Sequence, residues 1–72
     1  MVVAMKYAGA IATLEHLPST LREMRRVRGL SLRAVARETG LDHSTITHIE
    51  QGRDCRLSHA LVVMRWLNGG PR

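Results

Sequence analysis

Five polar residues between positions 43 and 51 could exchange hydrogen bonds with another molecule. Their spacing follows the period of an α-helix, so a helix through this stretch would carry them on its outer side. No large apolar side chain interrupts that side. Such a surface fits the major groove of double-stranded DNA, where base edges offer donors and acceptors. The five residues are His43, Ser44, Thr47, His48 and Gln51.

Two short helices separated by a tight turn would position this polar face, and the chain carries the residues that such a unit needs. Ser31 and Asp42 can begin the two helices, because short oxygen side chains accept hydrogen bonds from the free N–H groups of a first turn. Gly40 can adopt the left-handed backbone angles that end the first helix. Apolar residues at helical spacing mark the inner faces: Val35 and Ala36 in the first helix, Ile46 and Ile49 in the second.

Residues 31–52 resemble the helix-turn-helix of the phage Cro and lambda-repressor-like family. The resemblance extends from about Leu21 to Leu67, and its strength lies in an ordered set of residues rather than in any one of them. It implies an all-α fold, a compact five-helix bundle with an extra N-terminal helix. The length of 72 residues predicts one domain, so residues 1–72 are expected to form a single DNA-binding domain. The matching residues are Leu30-Ser31, Val35-Ala36, Gly40-Leu41, Ser44-Thr45-Ile46 and Ile49-Glu50-Gln51-Gly52-Arg53.

The resemblance implies two kinds of DNA contact. His43 and Ser44 match positions that read base edges in the family, and Thr47 and His48 follow them on the same face. Leu32 stands where the family often has a glutamine that touches phosphate, so the neighbouring arginine is expected to make that contact instead. The side chains predicted to contact phosphates are Arg33, Arg37, Thr45, Arg53 and Arg56.

The resembled family also pairs an arginine of the preceding helix with a glutamate late in the recognition helix. The corresponding residues of this chain are Arg25 and Glu50. Such a pair would tie the two helices together and fix the orientation of the polar face. Loss of one partner of a buried pair typically costs about 3–5 kcal/mol, even where the intact pair itself adds little stability.

The charge balance of the chain favours a polyanionic partner. The formal net charge is +5, and ten of the eleven basic residues are arginine, which suits forked contacts to phosphate and guanine. Double-stranded DNA is therefore the expected partner, with an anionic membrane surface as the alternative. One tyrosine and one tryptophan are too few for the stacking platforms that bind single strands. No apolar run approaches the roughly 18 residues of a membrane span.

The first part of the chain predicts an additional helix, at residues 3–16, in front of the helix-turn-helix unit. Tyr7, Ile11 and Leu14 lie three or four positions apart, which is the period of an amphipathic helix. Pro18 is expected to close this helix, because proline disfavours helical angles in the residue before it. A frayed tail is the alternative interpretation of the segment.

The last helical pattern carries more apolar residues than one small core can easily bury. One row is predicted to close the core and consists of Leu57, Leu61, Met64 and Leu67. Val63 and Trp66 belong to a second row, which would pack on the N-terminal helix or on another subunit. These two residues are therefore a possible dimer or partner surface. A homodimer could form in solution or only on DNA.

No motif for catalysis or metal binding accompanies these features. His43 and His48 are five positions apart and splay on a helix, whereas positions four apart face together. The single cysteine, Cys55, cannot form an internal disulfide and is consistent with a reducing cytosol. No glycine-rich phosphate loop or nucleophile elbow occurs. We expect no enzyme activity, metal, cofactor or small-molecule ligand.

These features predict a sequence-specific regulator of transcription of phage Cro or repressor type, which occupies an operator and blocks transcription. A chain of 72 residues leaves no room for a separate dimerisation or ligand domain, which favours a Cro-like protein. Its place would be the cytoplasm of a bacterial host cell. Two alternatives remain: an antitoxin-like module whose main partner is a protein, and a non-specific, nucleoid-type DNA binder.

Overall fold

Five α-helices make up the part of the chain that the structure, a computed structural model, describes: residues 6–53 and 56–69. No strand occurs within these ranges, and the predicted all-α fold is confirmed. None of the helices there has the length and apolar character that a membrane span requires. The helices are α1 (Ala8–Glu15), α2 (Leu17–Val27), α3 (Leu32–Thr39), α4 (His43–Glu50) and α5 (Leu57–Gly69).

The hydrophobic core lies where α2, α3, α4 and α5 meet. Val35, Ile46 and Ile49 are buried in it, as the inner-face pattern of the two central helices predicts. Ala36 is partly buried beside them. The remaining buried apolar residues are Leu17, Leu21, Ala60, Val63 and Trp66.

The two central helices begin and end at the predicted residues. The backbone N–H of Ala34 donates to Ser31 Oγ at 3.0 Å, and that of Ser44 donates to Asp42 Oδ2 at 3.1 Å. Gly40 has a φ of 79°, in the left-handed region where a side chain would be strained. The caps and the turn therefore follow from short-range chemistry that the sequence already displays.

Thr39, a residue that the sequence patterns do not single out, completes this turn. Its side chain is buried, and Oγ1 donates to the carbonyl oxygen of Val35 at 2.8 Å. The backbone N–H of Leu41, beyond the glycine, donates to the same hydroxyl at 3.3 Å. The hydroxyl thus joins the end of α3 to the start of the turn, which satisfies polar groups that would otherwise be unpaired.

The inner face of α5 differs from the predicted one. Leu57 is 78% exposed and Leu61 43% exposed, so neither closes the core, while Met64 and Leu67 are only partly buried against it. Both apolar rows have the helical period, and the period cannot decide which row faces inward.

Val63 and Trp66 occupy the centre of the core instead, with 0% and 1% of their surface exposed. The prediction that they form a dimer or partner surface is therefore wrong. Ala60 lies in the same row and is also buried.

The segment before the helix-turn-helix unit also departs from prediction. Within the described residues α1 spans Ala8–Glu15, while residues 3–5 of the predicted helix, like Cys55, lie outside them. Pro18 does not close α1 but stands in the first turn of α2, where its missing N–H has no helical partner to lose. No side chain of α1 is buried, and Val63 and Trp66 lie in a core cluster that includes no residue of α1.

Candidate nucleic-acid interface

The outer face of α4 carries the predicted base-contacting residues. Ile46 and Ile49, 0% and 1% exposed, hold the opposite face of the helix in the core. His43, Ser44 and His48 are exposed on the outside. The structure thus presents their polar side chains together to solvent, in the arrangement that contact with base edges would need.

The two threonines of α4 are less accessible than the other polar residues. Thr45 and Thr47 are both half-buried. The hydroxyl of Thr47 donates to the carbonyl oxygen of His43 at 3.0 Å. While that bond persists, Thr47 can offer a ligand only the lone pairs of its oxygen and its methyl group. A base amino group or the methyl group of thymine would match those features.

Ser44 has two functions at the start of α4. Its backbone N–H caps the helix through Asp42 Oδ2, and its hydroxyl donates to the same carboxylate oxygen. These hydrogen bonds, the one from the hydroxyl first, lower the pKa of Asp42 below its ordinary value. Because the hydroxyl hydrogen is used within the cap, Ser44 is left to accept hydrogen bonds from a ligand.

The cap predicts a specific pH dependence. Since the pKa of Asp42 is lower in the folded chain, its contribution to stability is present at neutral pH and is lost as the pH falls through the folded pKa. Replacing Ser44 with alanine should move that pKa back toward its ordinary value. An NMR titration of the Asp42 carboxyl carbon measures it directly, and Asp42→Asn identifies the signal. An unchanged midpoint in Ser44→Ala would contradict the assignment.

Arg33 and Arg37 lie together beside the start of α4. Both are exposed, and they line a shallow cavity of about 360 Å³ with Gly40, Asp42 and His43. The structure therefore brings two predicted phosphate contacts next to one predicted base contact. An anion in this cavity would meet two guanidinium groups, but also the carboxylate of Asp42, whose charge opposes it.

Arg53 lies at the other end of α4. It follows Gly52, is exposed, and lines a separate groove that also contains Glu15 and Leu57. Arg56, across the undescribed residues 54 and 55, is exposed as well. The arginines among the predicted phosphate contacts thus lie near both ends of a helix of eight residues, and Thr45 lies within it. That helix is about 12 Å long.

The ion pair between Arg25 and Glu50 joins α4 to α2 on the side of α4 that faces the core. Arg25 Nε donates to Glu50 Oε2 at 2.7 Å, and Arg25 Nη2 donates to Glu50 Oε1 at 3.1 Å. The arginine also donates to the carbonyl oxygen of Leu30 at 3.2 Å. The hydrogen bonds and charge of Glu50 raise the pKa of Arg25. The pair joins the last residue of α4 to α2 in a two-pronged geometry.

A second polar connection, which sequence reasoning missed, holds the first helix of the unit. Trp66 Nε1 donates to Glu38 Oε1 at 2.7 Å, which joins α5 to α3. The guanidinium of Arg28 lies 4.3 Å from the centre of the indole ring and donates to the carbonyl oxygen of Trp66 at 3.2 Å. The partners are 28 and 38 positions apart, so no local pattern signals them.

The histidines of α4 do not form part of a metal cluster. Within residues 6–53 and 56–69, no group of three or more histidine, cysteine, aspartate or glutamate side chains comes close enough to hold a metal ion. Protein metal sites for zinc normally use three or four such ligands.

Comparison with known families agrees with this geometry. A family model described as a helix-turn-helix domain matches residues 16–64, which include α2, α3, α4 and the first part of α5. The match leaves α1 outside. Neither a curated protein nor a solved structure matches the chain.

Proposed function

Since the chain belongs to the helix-turn-helix domain family, we propose that it is a sequence-specific regulator of transcription that binds double-stranded DNA. One observation supports this role above the others. Ile46 and Ile49 anchor α4 in the core, so that His43, Ser44 and His48 project from it as an accessible polar face. A helix of this kind matches the width of the major groove.

In this proposal α4 enters the major groove, and its exposed residues read the bases. His43, Ser44 and His48 exchange hydrogen bonds with base edges, and Thr47 contributes its oxygen lone pairs or its methyl group. Each good base contact provides about 1–3 kcal/mol of discrimination against the wrong base. The specificity of the chain then depends on three or four side chains of one helix.

The arginines at the two ends of α4 contact the phosphate backbone. The phosphates near the start of α4 are contacted by Arg33 and Arg37, and those near its end by Arg53 and Arg56. Thr45 contacts a phosphate between these two groups. Such contacts set the register of the protein on the duplex but carry no sequence information themselves. The net charge of +5 adds a long-range attraction that depends on salt.

The regulatory consequence is steric. A domain seated in the major groove of a promoter occupies DNA that polymerase or a competing regulator needs, as in a Cro- or repressor-type mechanism. We place this activity in the cytoplasm of a bacterial cell, with the operator of a phage as one natural target. The antitoxin-like alternative drew on Val63 and Trp66, which lie in the core.

Selection of bound duplexes from a random pool, followed by titration of the selected and a scrambled duplex, tests sequence specificity. We expect an affinity ratio of about 10³ or more at physiological salt, which is the range of specific binders. A ratio near one would support a nucleoid-type binder instead. Failure to bind any duplex would contradict DNA binding and favour a protein partner.

The proposed division of roles predicts different effects for two kinds of substitution. Arg53→Ala should weaken binding to all duplexes and reduce the slope of log affinity against log salt by about one. Ser44→Ala should change the preferred base at one position instead. Fluorescence titrations over a salt series and a panel of single-base variants measure both effects.

Arg65→Ala is the matched control, because it removes the same charge from an exposed position of α5. That helix packs chiefly on α2 and α3 rather than on α4. Arg65→Ala should therefore leave most of the affinity and the base preference intact. Equal losses from Arg53→Ala and Arg65→Ala would show that the arginines act only through net charge.

A further inference from the structure

α1 packs on the rest of the chain chiefly through α2, the helix that follows it. It has eight residues, none of them buried, and lies outside the part of the chain that matches the helix-turn-helix family. Helices shorter than about 12–15 residues are marginal in water, and those in proteins depend on the packing of an apolar face. A further surface is therefore needed to explain why this segment is apolar and helical.

The apolar side chains of α1 continue onto α5. Ile11 and Leu14 are 53% and 48% exposed on one side of α1, and Tyr7, the residue just before this helix, is 55% exposed. Leu14 lines one groove with Leu57, and Leu61 follows one turn later on α5. These five residues form an apolar strip. It exposes on the order of 500 Å² of apolar surface, near the upper end of the patches found on monomeric proteins.

We propose that the apolar strip is the surface on which two copies of this chain associate. The chain carries a net charge of +5, so two copies repel each other over most of their surface. No charged residue lies between Lys6 and Glu15. The α1 part of the strip is thus a place where two such basic molecules meet with little like-charge contact, while at the α5 end Arg53 lines the groove together with Glu15.

The ends of α1 are complementary in an antiparallel arrangement. Lys6 precedes the helix and Glu15 ends it. When two α1 helices cross antiparallel about a two-fold axis, the positive end of each lies at the negative end of the other. A parallel arrangement would bring like charges together. The segment 6–15 therefore supplies both the positive and the negative charge of its contact with a second copy.

The area of the strip sets the expected strength of association. Two strips together remove about 1,000 Å² from water, the lower limit for a specific interface. A dissociation constant in the micromolar range is expected. The strip is separate from the exposed polar face of α4, whereas Arg53, one of the proposed phosphate contacts, lines the groove that Leu14 and Leu57 share.

Sedimentation velocity of the full chain without DNA, from about 1 µM to 1 mM, tests the proposal in the range where a weak dimer dissociates. The wild type should convert from monomer to dimer across this range. Ile11→Glu, which places two carboxylates at the contact, should raise the dissociation constant at least about tenfold. Ile11→Lys alone should have the same effect, whereas an equimolar mixture of the two variants should dimerise again.

Val27→Glu is the matched control, because Val27 is 70% exposed at the end of α2 and lies off the strip. This variant should associate like the wild type, and circular dichroism should show all variants folded. A wild type that stays monomeric at all concentrations overturns the proposal. A dimer whose dissociation constant is unchanged by Ile11→Glu also overturns it. So does a mixture of the two charged variants that fails to associate, because either result shows that the strip is not the contact between two copies.

Discussion

Replacing Trp66 with alanine is expected to lower the free energy of unfolding by about 3–5 kcal/mol. The indole is 1% exposed at the centre of the core, and its removal also deletes the hydrogen bond to Glu38 and the stacking of Arg28. A domain of this size is stabilised by only about 5 kcal/mol, so the variant should be largely unfolded. Chemical denaturation followed by far-ultraviolet circular dichroism measures the loss.

Two further variants separate the contribution of the apolar volume of Trp66 to stability from that of its hydrogen bond. Trp66→Phe keeps most of the apolar volume but leaves Glu38 without its partner, and should cost about 1–2 kcal/mol. Leu57→Ala removes a large apolar side chain from the same helix at a position that is 78% exposed, and should cost less than about 0.5 kcal/mol. Equal losses for Trp66→Ala and Leu57→Ala would contradict the orientation of α5 described above.

The second large effect is expected at the ion pair behind the recognition helix. Arg25→Ala should destabilise the fold by about 2 kcal/mol, because Glu50 would keep a charge in a largely enclosed position. The figure lies below the range for fully buried pairs, since the side chains of Arg25 and Glu50 are 20% and 9% exposed. Thermal and denaturant unfolding at neutral pH measure it.

The same variant should weaken DNA binding beyond its effect on stability. Glu50 is the last residue of α4, and without the pair that end of the helix loses its hydrogen bonds to α2 and is held there by packing alone. Arg25→Lys retains the charge but not the two-pronged hydrogen bonding. Its DNA affinity should therefore lie between that of the wild type and that of Arg25→Ala. Arg26→Ala, the neighbouring exposed arginine, serves as the control for stability. A similar cost for Arg26→Ala and Arg25→Ala would show that the pair has no special importance.

The helix-turn-helix unit was largely predictable because its signals are local. Ser31 and Asp42 cap helices through N–H groups two or three residues away, and Gly40 is needed where φ is positive. The buried Ile46 and Ile49 then leave only one side of α4 for its polar residues. Chemistry within a few residues determines each of these features, so the sequence displays them directly.

The orientation of α5 and the connections to it could not be predicted in this way. Both of its apolar rows have helical spacing, and the choice between Leu57 and Val63 depends on how α5 is rotated against α2 and α3. The bond from Trp66 to Glu38 depends on the same rotation. Pro18 was ambiguous for a different reason: proline can follow a helix end or occupy the first turn of the next helix.

The two helices of the unit are each tied to a different neighbour, α3 to α5 through Glu38 and Trp66, and α4 to α2 through Glu50 and Arg25. A helix-turn-helix unit that is held at two points can change its shape little to fit a DNA site that differs from the preferred one. Under the proposed function the nucleic acid must then supply the adjustment. Base pairs that the protein never touches would influence affinity through how easily the duplex bends or twists there.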